Sequence, residues 1–205
     1  MLTPSHAKPE LLALLREKSV FHGDFKLSSG AQSSYYIDCK NTTLDPKGLW
    51  LAGQLMHELI REQASKLDVK IDSVGGLTMG ADPIAIAVGM VSFWKEERPP
   101  LQVFIVRKSP KAHGQTKLIE GNFRRGDTVV IVEDVVTKGD STLKAIDAVE
   151  KEGGKVGFVA VLVDRQEGGR KAIEDRGYAV AALFTRDELL AQGGKPHQPE
   201  NLIPV

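Results

Sequence analysis

The sequence predicts an α/β fold in which helices flank a mainly parallel central sheet. Strand-like and helix-like segments alternate along the chain from about residue 46 onward, as is typical of parallel sheets. Two runs, Val129–Val132 and Val156–Val163, are continuously apolar, which is typical of strands buried on both faces. Residues 1–45 lie outside the alternation and are predicted to form a small N-terminal hood over the carboxyl edge of the sheet.

The hood is predicted to contain one helix and two short strands. Pro9–Val20 is amphipathic, with leucines on one side, and should be helical. Phe25–Leu27 and Tyr35–Asp38 flank a turn rich in serine and glycine, which indicates a two-stranded flap. Asp45 and Pro46 begin the next helix, because aspartate caps helices well and proline fits the first helical position.

The remaining elements follow from helical spacing or from apolar runs, and the whole chain, 1–205, is expected to form a single domain. The helix that begins at Pro46 should end near Lys66. Further strands are predicted at Ile71–Val74, Leu101–Val106 and Tyr178–Phe184, and further helices at Pro83–Val91, Ser141–Glu152 and Arg186–Gln192. Residues 193–205 contain three prolines and no periodicity, so an irregular C-terminal tail is expected there.

The composition narrows the possible functions. The 205 residues carry 27 basic and 27 acidic side chains, whereas general nucleic-acid-binding proteins carry a basic surplus. The single cysteine, Cys39, suits a reducing cytoplasm and is expected to be a small apolar filler rather than a nucleophile. No signal peptide or membrane-spanning run is recognisable. Four histidines, His6, His22, His57 and His197, show no ligand spacing, so no protein-bound metal cluster is expected.

The most informative segment is Val129–Thr142, in which an apolar strand is followed by two adjacent acids and a hydroxyl-rich turn that opens a helix. Ligands of parallel sheets bind beyond the carboxyl ends of the strands, where Glu133 and Asp134 fall. Ionised carboxylates only accept hydrogen bonds, so two in a row suit a vicinal diol such as that of ribose.

The turn that follows suits a phosphate group. Gly139 allows close approach of the backbone, and the free N–H groups and dipole of the next helix favour an anion. The polar residues of the turn are Thr137, Lys138, Asp140, Ser141 and Thr142. The alternative is a buried strand followed by a helix that Asp140 caps, but the ordered combination favours a sugar-phosphate site. The chain contains neither a P-loop nor a dinucleotide-binding glycine motif.

The Val129–Thr142 segment resembles the phosphoribosyl pyrophosphate (PRPP) motif of type I phosphoribosyltransferases, and other segments resemble the orotate phosphoribosyltransferases. The resemblance covers the chain from about Phe21 to about Phe184. It implies that Glu133 and Asp134 hold the ribose hydroxyls, with Asp134 near the reacting carbon, and that the turn binds the 5-phosphate. Asp140 departs from the family, which often has glycine or threonine there. Because a carboxylate repels phosphate, we expect Asp140 to point away and cap the helix.

A basic segment follows the strand predicted before residue 107. Four of its seven residues can carry a positive charge: Arg107, Lys108, Lys111 and His113. The connection Ser109–Gly126 is long, as lids often are, and a basic lid would stabilise a departing pyrophosphate. The alternative is a solvated loop. By resemblance, this loop reaches over the active site of the neighbouring subunit in a homodimer. There, Lys111 and His113 would be the principal catalytic contacts, followed by Arg107 and Lys108.

Two further segments resemble ligand-binding turns of the orotate phosphoribosyltransferases. Gly75–Ala81 stands at the place of the pyrophosphate-binding loop, where some members have a lysine instead of Met79, so only the backbone amides and Thr78 carry over. Val163–Gly169 resembles the orotate-binding turn, in which Arg165 can make two hydrogen bonds to a carboxylate. A plain turn and a surface arginine are the alternatives.

The hood also contains candidate base contacts. By resemblance, Tyr36 and Ile37 stand where the family places an aromatic pair beside the base, and Thr137 is also predicted to contact orotate. Simple strand packing is the alternative for the tyrosines. Ser28 replaces a lysine that the family often has, and Lys26, two residues upstream on the same strand face, is a candidate to substitute for it.

The predicted function is transfer of the phosphoribosyl group from PRPP to orotate in pyrimidine biosynthesis, giving orotidine 5-phosphate and pyrophosphate. Mg²⁺ is expected to be held mainly by PRPP. Two alternatives stay open. One is a phosphoribosyltransferase for another base, such as a purine or uracil, which would offer Arg165 no carboxylate. The other is a non-catalytic, PRPP-sensing regulator that binds nucleic acid, against which the zero net charge counts.

Overall fold

The computed structural model describes residues 4–26, 32–95, 99–109 and 117–191. The strands are β1 Val20–Lys26, β2 Gln32–Ile37, β3 Ser73–Leu77, β4 Gln102–Val106, β5 Ile119–Gly121, β6 Thr128–Val136, β7 Lys155–Asp164 and β8 Val180–Thr185. The helices are α1 Pro4–Lys18, α2 Lys40–Thr43, α3 Pro46–Lys66, α4 Ala81–Trp94, α5 Asp140–Lys151, α6 Gly169–Glu174 and α7 Arg186–Leu190. No described helix is both long and apolar enough to cross a membrane.

The predicted fold class is confirmed, because the main sheet has six strands in the order β5-β4-β3-β6-β7-β8. Only the β4–β5 pair is antiparallel, and the other neighbours run parallel. The hood contributes a separate antiparallel pair, β1 and β2. The carboxyl ends of the parallel strands therefore meet at one edge, where the turns after β3, β6 and β7 lie together.

Strand β6 lies in the middle of the sheet and is buried on both faces. Val130 and Val132 pack into a core shared with α1, α3 and α4. Val129 and Ile131 point the other way, into a second core shared with α5 and α6. This alternation explains the unbroken apolar run, and it makes β6 a rigid support for the residues at its carboxyl end.

Two strands extend further than the sequence indicates. The β3 strand does not end before Gly75 and Gly76 but includes both, paired with Phe104 and Ile105, and glycine is needed there because both positions touch neighbouring backbone. A Cβ atom at Gly76 would lie 2.2 Å from the carbonyl oxygen of Val132. Strand β6 continues to Val136, so the two acids lie inside the strand rather than after it.

Several boundaries in the hood and in the predicted lid also differ. Helix α1 begins at Pro4 and includes Pro9 within it, so the prediction that Pro9 opens the helix is wrong. The predicted connection Ser109–Gly126 contains β5, which pairs with β4 and shortens the segment that can act as a lid. Ser28, Lys111, His113 and the tail 193–205 lie outside the described residues.

Candidate functional site

The acid pair lies on β6 at the carboxyl edge of the sheet and is almost fully buried. Glu133 is 5% exposed and Asp134 is 8% exposed. Burial raises the pKa of Glu133 well above its ordinary value, and the negative charge of Asp134 raises it further. Burial also raises the pKa of Asp134, although the charge of Lys40 opposes this. Hydrogen-bond donors or positive charge brought by a ligand would therefore stabilise the ionised pair.

The turn after β3 packs directly onto the acid pair. A Cβ atom added at Gly80 would lie 2.3 Å from Oδ1 of Asp134 and 3.0 Å from Oε1 of Glu133. Within this turn, the hydroxyl of Thr78 donates to Asp82 Oδ2 at 2.6 Å, and the side chain of Met79 is 58% exposed. The predicted pyrophosphate-binding turn and the predicted ribose-binding acids are thus neighbours, which the sequence alone does not show.

The phosphate turn connects β6 to α5. Gly139 has a φ of +88° and is the N-cap of α5, without a side-chain cap hydrogen bond. The prediction that Asp140 caps the helix is therefore wrong, since Asp140 is the first helical residue and its side chain is exposed. Lys138 and Ser141 are also exposed, whereas the hydroxyl of Thr142 turns inward and donates to Glu133 Oε2 at 3.5 Å.

The turn after β7 packs against the phosphate turn. The backbone amide of Gly169 donates to the carbonyl oxygen of Thr137 at 2.9 Å. The backbone amide of Arg165 donates at 3.0 Å to the carbonyl oxygen of Val136, the last residue of β6. A Cβ atom at Gly169 would lie 2.6 Å from the Thr137 carbonyl oxygen, so the two turns touch through backbone. Arg165 is therefore fixed beside the predicted phosphate site.

Arg165 is a buried arginine that the structure leaves incompletely hydrogen-bonded. It is 6% exposed, and its Nη2 pairs with Glu167 Oε1 at 2.7 Å. Its guanidinium lies over the ring of Tyr35, 5.5 Å from the centroid, and the Tyr35 hydroxyl donates to the same Glu167 oxygen at 3.4 Å. The Nε atom is buried without a hydrogen-bond partner among the described residues. Such an unpaired donor is costly unless a ligand accepts from it.

The two tyrosines of the hood have different neighbours. Tyr35 contacts Arg165, whereas Tyr36 packs against Phe21 and Phe25, with centroids 6.4 and 5.8 Å away. Ile37 is 5% exposed and belongs to the core, so its contact with a base stays a prediction. The side chain of Lys26 lies outside the described residues.

Sequence reasoning missed Lys40, at the start of α2. Its ammonium pairs with Asp38 Oδ1 at 2.6 Å. Burial alone would lower the pKa of Lys40, but the hydrogen bond to Asp38 and the negative charges of Asp38 and Asp134 outweigh burial and raise it. Lys40 thus places a positive charge from the hood near the acid pair. Neighbouring Cys39 is fully buried, as predicted for a filler, and burial raises the pKa of its thiol.

The described part of the basic segment lies beside α5. Arg107 donates from Nε to the carbonyl oxygen of Ser109 at 3.2 Å and pairs through Nη1 with Glu120 at 3.6 Å. Arg107 and exposed Lys108 line a cavity that neither Glu133 nor Asp134 lines. Within the described ranges, no group of three or more His, Cys, Asp or Glu side chains is arranged to hold a metal ion.

Comparisons with known proteins agree with this arrangement. A model of the phosphoribosyl transferase domain matches residues 45–181. The orotate phosphoribosyltransferase of Aquifex aeolicus is 44% identical over 186 residues, which cover 89% of this chain and 97% of that relative. A crystal structure of Mycobacterium tuberculosis H37Rv orotate phosphoribosyltransferase with Fe(III) dicitrate has a TM-score of 0.77 and 41% identity, covering 90% of this chain and 99% of the other. The same enzyme in complex with PRPP has a TM-score of 0.72 and 37% identity, covering 89% and 98%.

The fold is that of a type I phosphoribosyltransferase. The similarity extends over nearly the whole chain and over nearly the whole length of the Aquifex and Mycobacterium enzymes. The chain belongs to the orotate phosphoribosyltransferase family, whose members are pentosyltransferases of pyrimidine biosynthesis.

Proposed function

We propose that this chain transfers the phosphoribosyl group of PRPP to orotate with the three turns at the carboxyl edge of its sheet. The observation that carries the proposal is the buried guanidinium of Arg165, whose Nε has no partner within the described structure. Arg165 lies in a turn that is hydrogen-bonded to the phosphate turn. A guanidinium can donate two parallel hydrogen bonds to a carboxylate, and orotate has a carboxylate. Orotate held there would lie next to a ribose phosphate on the acid pair.

The chemistry is a displacement at C1 of the ribose through an oxocarbenium-like state. Glu133 and Asp134 accept hydrogen bonds from the 2- and 3-hydroxyls and lie close to the positive charge that develops. The phosphate turn, with Thr137, Lys138, Gly139, Asp140 and Ser141, binds the 5-phosphate, so a remote group positions the reacting carbon. Asp140 takes part through its backbone amide, since its side chain is exposed.

Magnesium fits this site as a companion of PRPP. Hard cations prefer oxygen ligands, and Mg²⁺ is commonly held by one or two carboxylates together with substrate phosphates. The buried acid pair and Asp82, whose Oδ1 is buried without a hydrogen-bond partner in the described structure, are carboxylates at this edge that such an ion could use. The ion would offset the charge of the diphosphate, and the chain's own residues fix the sugar and the base.

Lys111 and His113, which lie between β4 and β5 in the sequence, are proposed to stabilise the leaving pyrophosphate. Replacing Lys111 with Ala should lower kcat by about a hundredfold or more, because it removes charge stabilisation that matters most in the transition state. The affinity for PRPP should change far less. Steady-state kinetics with a separate PRPP binding titration measure both quantities. A loss confined to PRPP affinity, with kcat unchanged, would contradict the role.

We propose a homodimer that uses an apolar surface on α4 next to the site. Ile86, Met90, Phe93 and Trp94 share one face of α4, and Trp50 of α3 touches Trp94. All five side chains are between 41% and 69% exposed. Met79, which is also exposed, lies in the turn between the acid pair and the start of α4. A second copy that packs there lies beside the transfer site. Its predicted basic segment could then reach over the site of the first copy, as expected from the family. Contiguous exposed apolar side chains of this size mark interfaces.

The double replacement Met90→Asp and Phe93→Asp should convert the dimer into a monomer. Both side chains are more than 60% exposed, at 64% and 69%, so the change should leave the fold of one subunit intact. Two carboxylates buried without partners would cost several kcal/mol at an interface. Sedimentation equilibrium measures the mass. Leu67→Asp, at an exposed position on the end of α3, serves as the control and should leave the dimer unchanged. A double variant that keeps the dimer mass would refute this surface.

Competition between bases tests the proposed acceptor against the alternatives. With PRPP and Mg²⁺ present, orotate should be consumed in preference to uracil and adenine, which lack a carboxylate. Preferential use of a neutral base would favour the first alternative. The second alternative, a nucleic-acid-binding regulator, predicts tight RNA or DNA binding without turnover, whereas the net charge of zero predicts weak binding. The predicted cytoplasmic location stays a prediction.

A further inference from the structure

The turn after β7 contains Arg165, and the backbone of this turn has an unusual conformation. Gln166, the residue after Arg165, has a φ of +57°, in the left-handed region that costs free energy for a residue with a Cβ atom. Gln166 is exposed, so burial of its side chain does not explain the conformation. A strained backbone persists only where the surrounding structure fixes it. The contacts that fix this turn therefore also determine how Arg165 is presented.

Asp164, the last residue of β7, provides one of these contacts. Its Oδ1 accepts a hydrogen bond from the backbone amide of Gln166 at 2.8 Å. A bond from an aspartate oxygen to the amide two residues further on closes a small ring that imitates a backbone turn, and Arg165 is the middle residue of this ring. The amide of Arg165 itself donates to the carbonyl oxygen of Val136 at 3.0 Å. The backbone of Arg165 is thus held on both sides of its Cα atom, which fixes the direction of its side chain.

The second oxygen of the same carboxylate is held by an ion pair. Asp164 is 3% exposed, and its Oδ2 accepts a hydrogen bond from Nε of Arg170, on α6, at 2.8 Å. Burial of a carboxylate is costly unless hydrogen bonds and an opposite charge compensate for it, and here each oxygen has a donor. Because the ion pair keeps the carboxylate from rotating, Oδ1 stays directed at the amide of Gln166.

We propose that Asp164 is a positioning residue of the base site, which sets the direction of Arg165 through the left-handed turn at Gln166. The inference rests on the proposed contact between Arg165 and the orotate carboxylate. Two parallel hydrogen bonds to a carboxylate require a defined position and plane of the guanidinium, and a shift of about 1 Å weakens them. Asp164 itself does not touch the substrate. Its effect should therefore appear in the KM for orotate and not in the KM for PRPP.

A matched pair of variants at exposed Gln166 tests the role of the backbone conformation. Gln166→Gly and Gln166→Val both lose the side-chain oxygen that accepts from the amide of Asp187 at 3.3 Å, but only glycine adopts a positive φ without strain. Steady-state kinetics should give a KM for orotate about tenfold higher in Gln166→Val than in Gln166→Gly. The KM for PRPP should be the same in both. Equal KM values for orotate would overturn the proposal, as would a parallel rise in the KM for PRPP.

Replacement of Asp164 tests the carboxylate directly. Asp164→Ala removes the acceptor of the Gln166 amide and should raise the KM for orotate about tenfold, the effect of losing one hydrogen bond to a charged group. Adding Gln166→Gly should recover most of this loss, because glycine adopts the left-handed conformation without help from the carboxylate. The control Asp175→Ala removes an exposed aspartate that pairs with Lys171, and it should leave the KM for orotate unchanged. Absence of any recovery in the double variant would overturn the proposal.

Arg165→Ala, measured in the same assay, separates a positioning role from a general loss of stability. Because Asp164 acts through Arg165, adding Asp164→Ala to Arg165→Ala should raise the KM for orotate no further. A further rise would overturn the proposal. So would an unchanged KM for orotate in folded Asp164→Ala when Arg165→Ala raises it, a result that leaves the proposed base contact intact. An unchanged KM in Arg165→Ala would overturn the base contact and the positioning role together.

Discussion

Replacing Asp134 with Asn is expected to lower kcat/KM for PRPP by about a hundredfold to a thousandfold, the usual cost of removing one preorganised electrostatic contact to a transition state. The carboxylate lies at the carboxyl end of β6, 8% exposed, in a site with little water to replace it. Asparagine keeps the shape but loses the negative charge near the developing oxocarbenium ion. Steady-state kinetics over a range of PRPP concentrations measure the loss. Activity within about threefold of the wild type would show that this acid has no role in the reaction.

The same replacement should not destabilise the fold, which separates a catalytic role from a structural one. Burial raises the pKa of Asp134 in the folded protein above its ordinary value of 3.8. As the pH rises from that ordinary value through the raised one, the folded protein retains a proton that the unfolded chain has released. Stability is therefore lost with rising pH in that window. The Asn variant lacks this loss, so its Tm at neutral pH should equal or exceed that of the wild type, and the advantage should vanish at acid pH. Thermal unfolding at several pH values measures this.

Replacing Arg165 with Ala should raise the KM for orotate by about a hundredfold, because truncating one partner of a buried charge pair costs about 2–5 kcal/mol. The guanidinium is held by Glu167 and the ring of Tyr35, and the backbone amide of Arg165 is bonded to Val136, so little movement is needed to bind orotate. The KM for PRPP should change little. The preference for orotate over uracil should fall by the same factor as orotate binding, a result that general loss of stability would not give.

Two variants control for structural effects at this position. Arg165→Lys keeps the charge but not the two-pronged geometry, and its KM for orotate should lie between those of the wild type and the Ala variant. Arg176→Ala removes an exposed arginine that pairs with Asp147 and Glu150, and it should leave orotate kinetics unchanged. An unaltered preference for orotate over uracil in Arg165→Ala would mean that another residue binds the orotate carboxylate.

The features predicted most reliably from the sequence are those with strong periodicity or a local chemical reason. The unbroken apolar run at Val129–Val132 predicts a strand buried on both faces, and β6 has that position. Helix α3 runs from Pro46 to Lys66 as expected, with Asp45 accepting hydrogen bonds from the amides of Lys47 and Gly48. The acid pair lies near the carboxyl edge of the sheet as predicted, because strand direction alone defines that edge, although both acids are inside β6 rather than after it.

Features that depend on contacts between distant segments were predicted less well. Gly76 looks like a turn residue, but it lies in β3 opposite Ile105, and it is glycine because the Val132 carbonyl leaves no room for a Cβ atom. Asp140 has the chemistry of a cap, yet Gly139 takes the cap position, because its positive φ turns the chain from β6 into α5. Lys40 and Glu167 were missed, since nothing in their local sequence shows that Asp134 and Arg165 lie nearby in the fold.

The most direct test of the central claim is a reaction with purified protein, PRPP, Mg²⁺ and orotate, in which orotate consumption and both products are measured together. The account predicts that orotidine 5-phosphate and pyrophosphate form in equal amounts, each matching the orotate consumed, and that omission of PRPP abolishes the reaction. No orotate consumption above background, from protein shown by its unfolding transition to be folded, would contradict it.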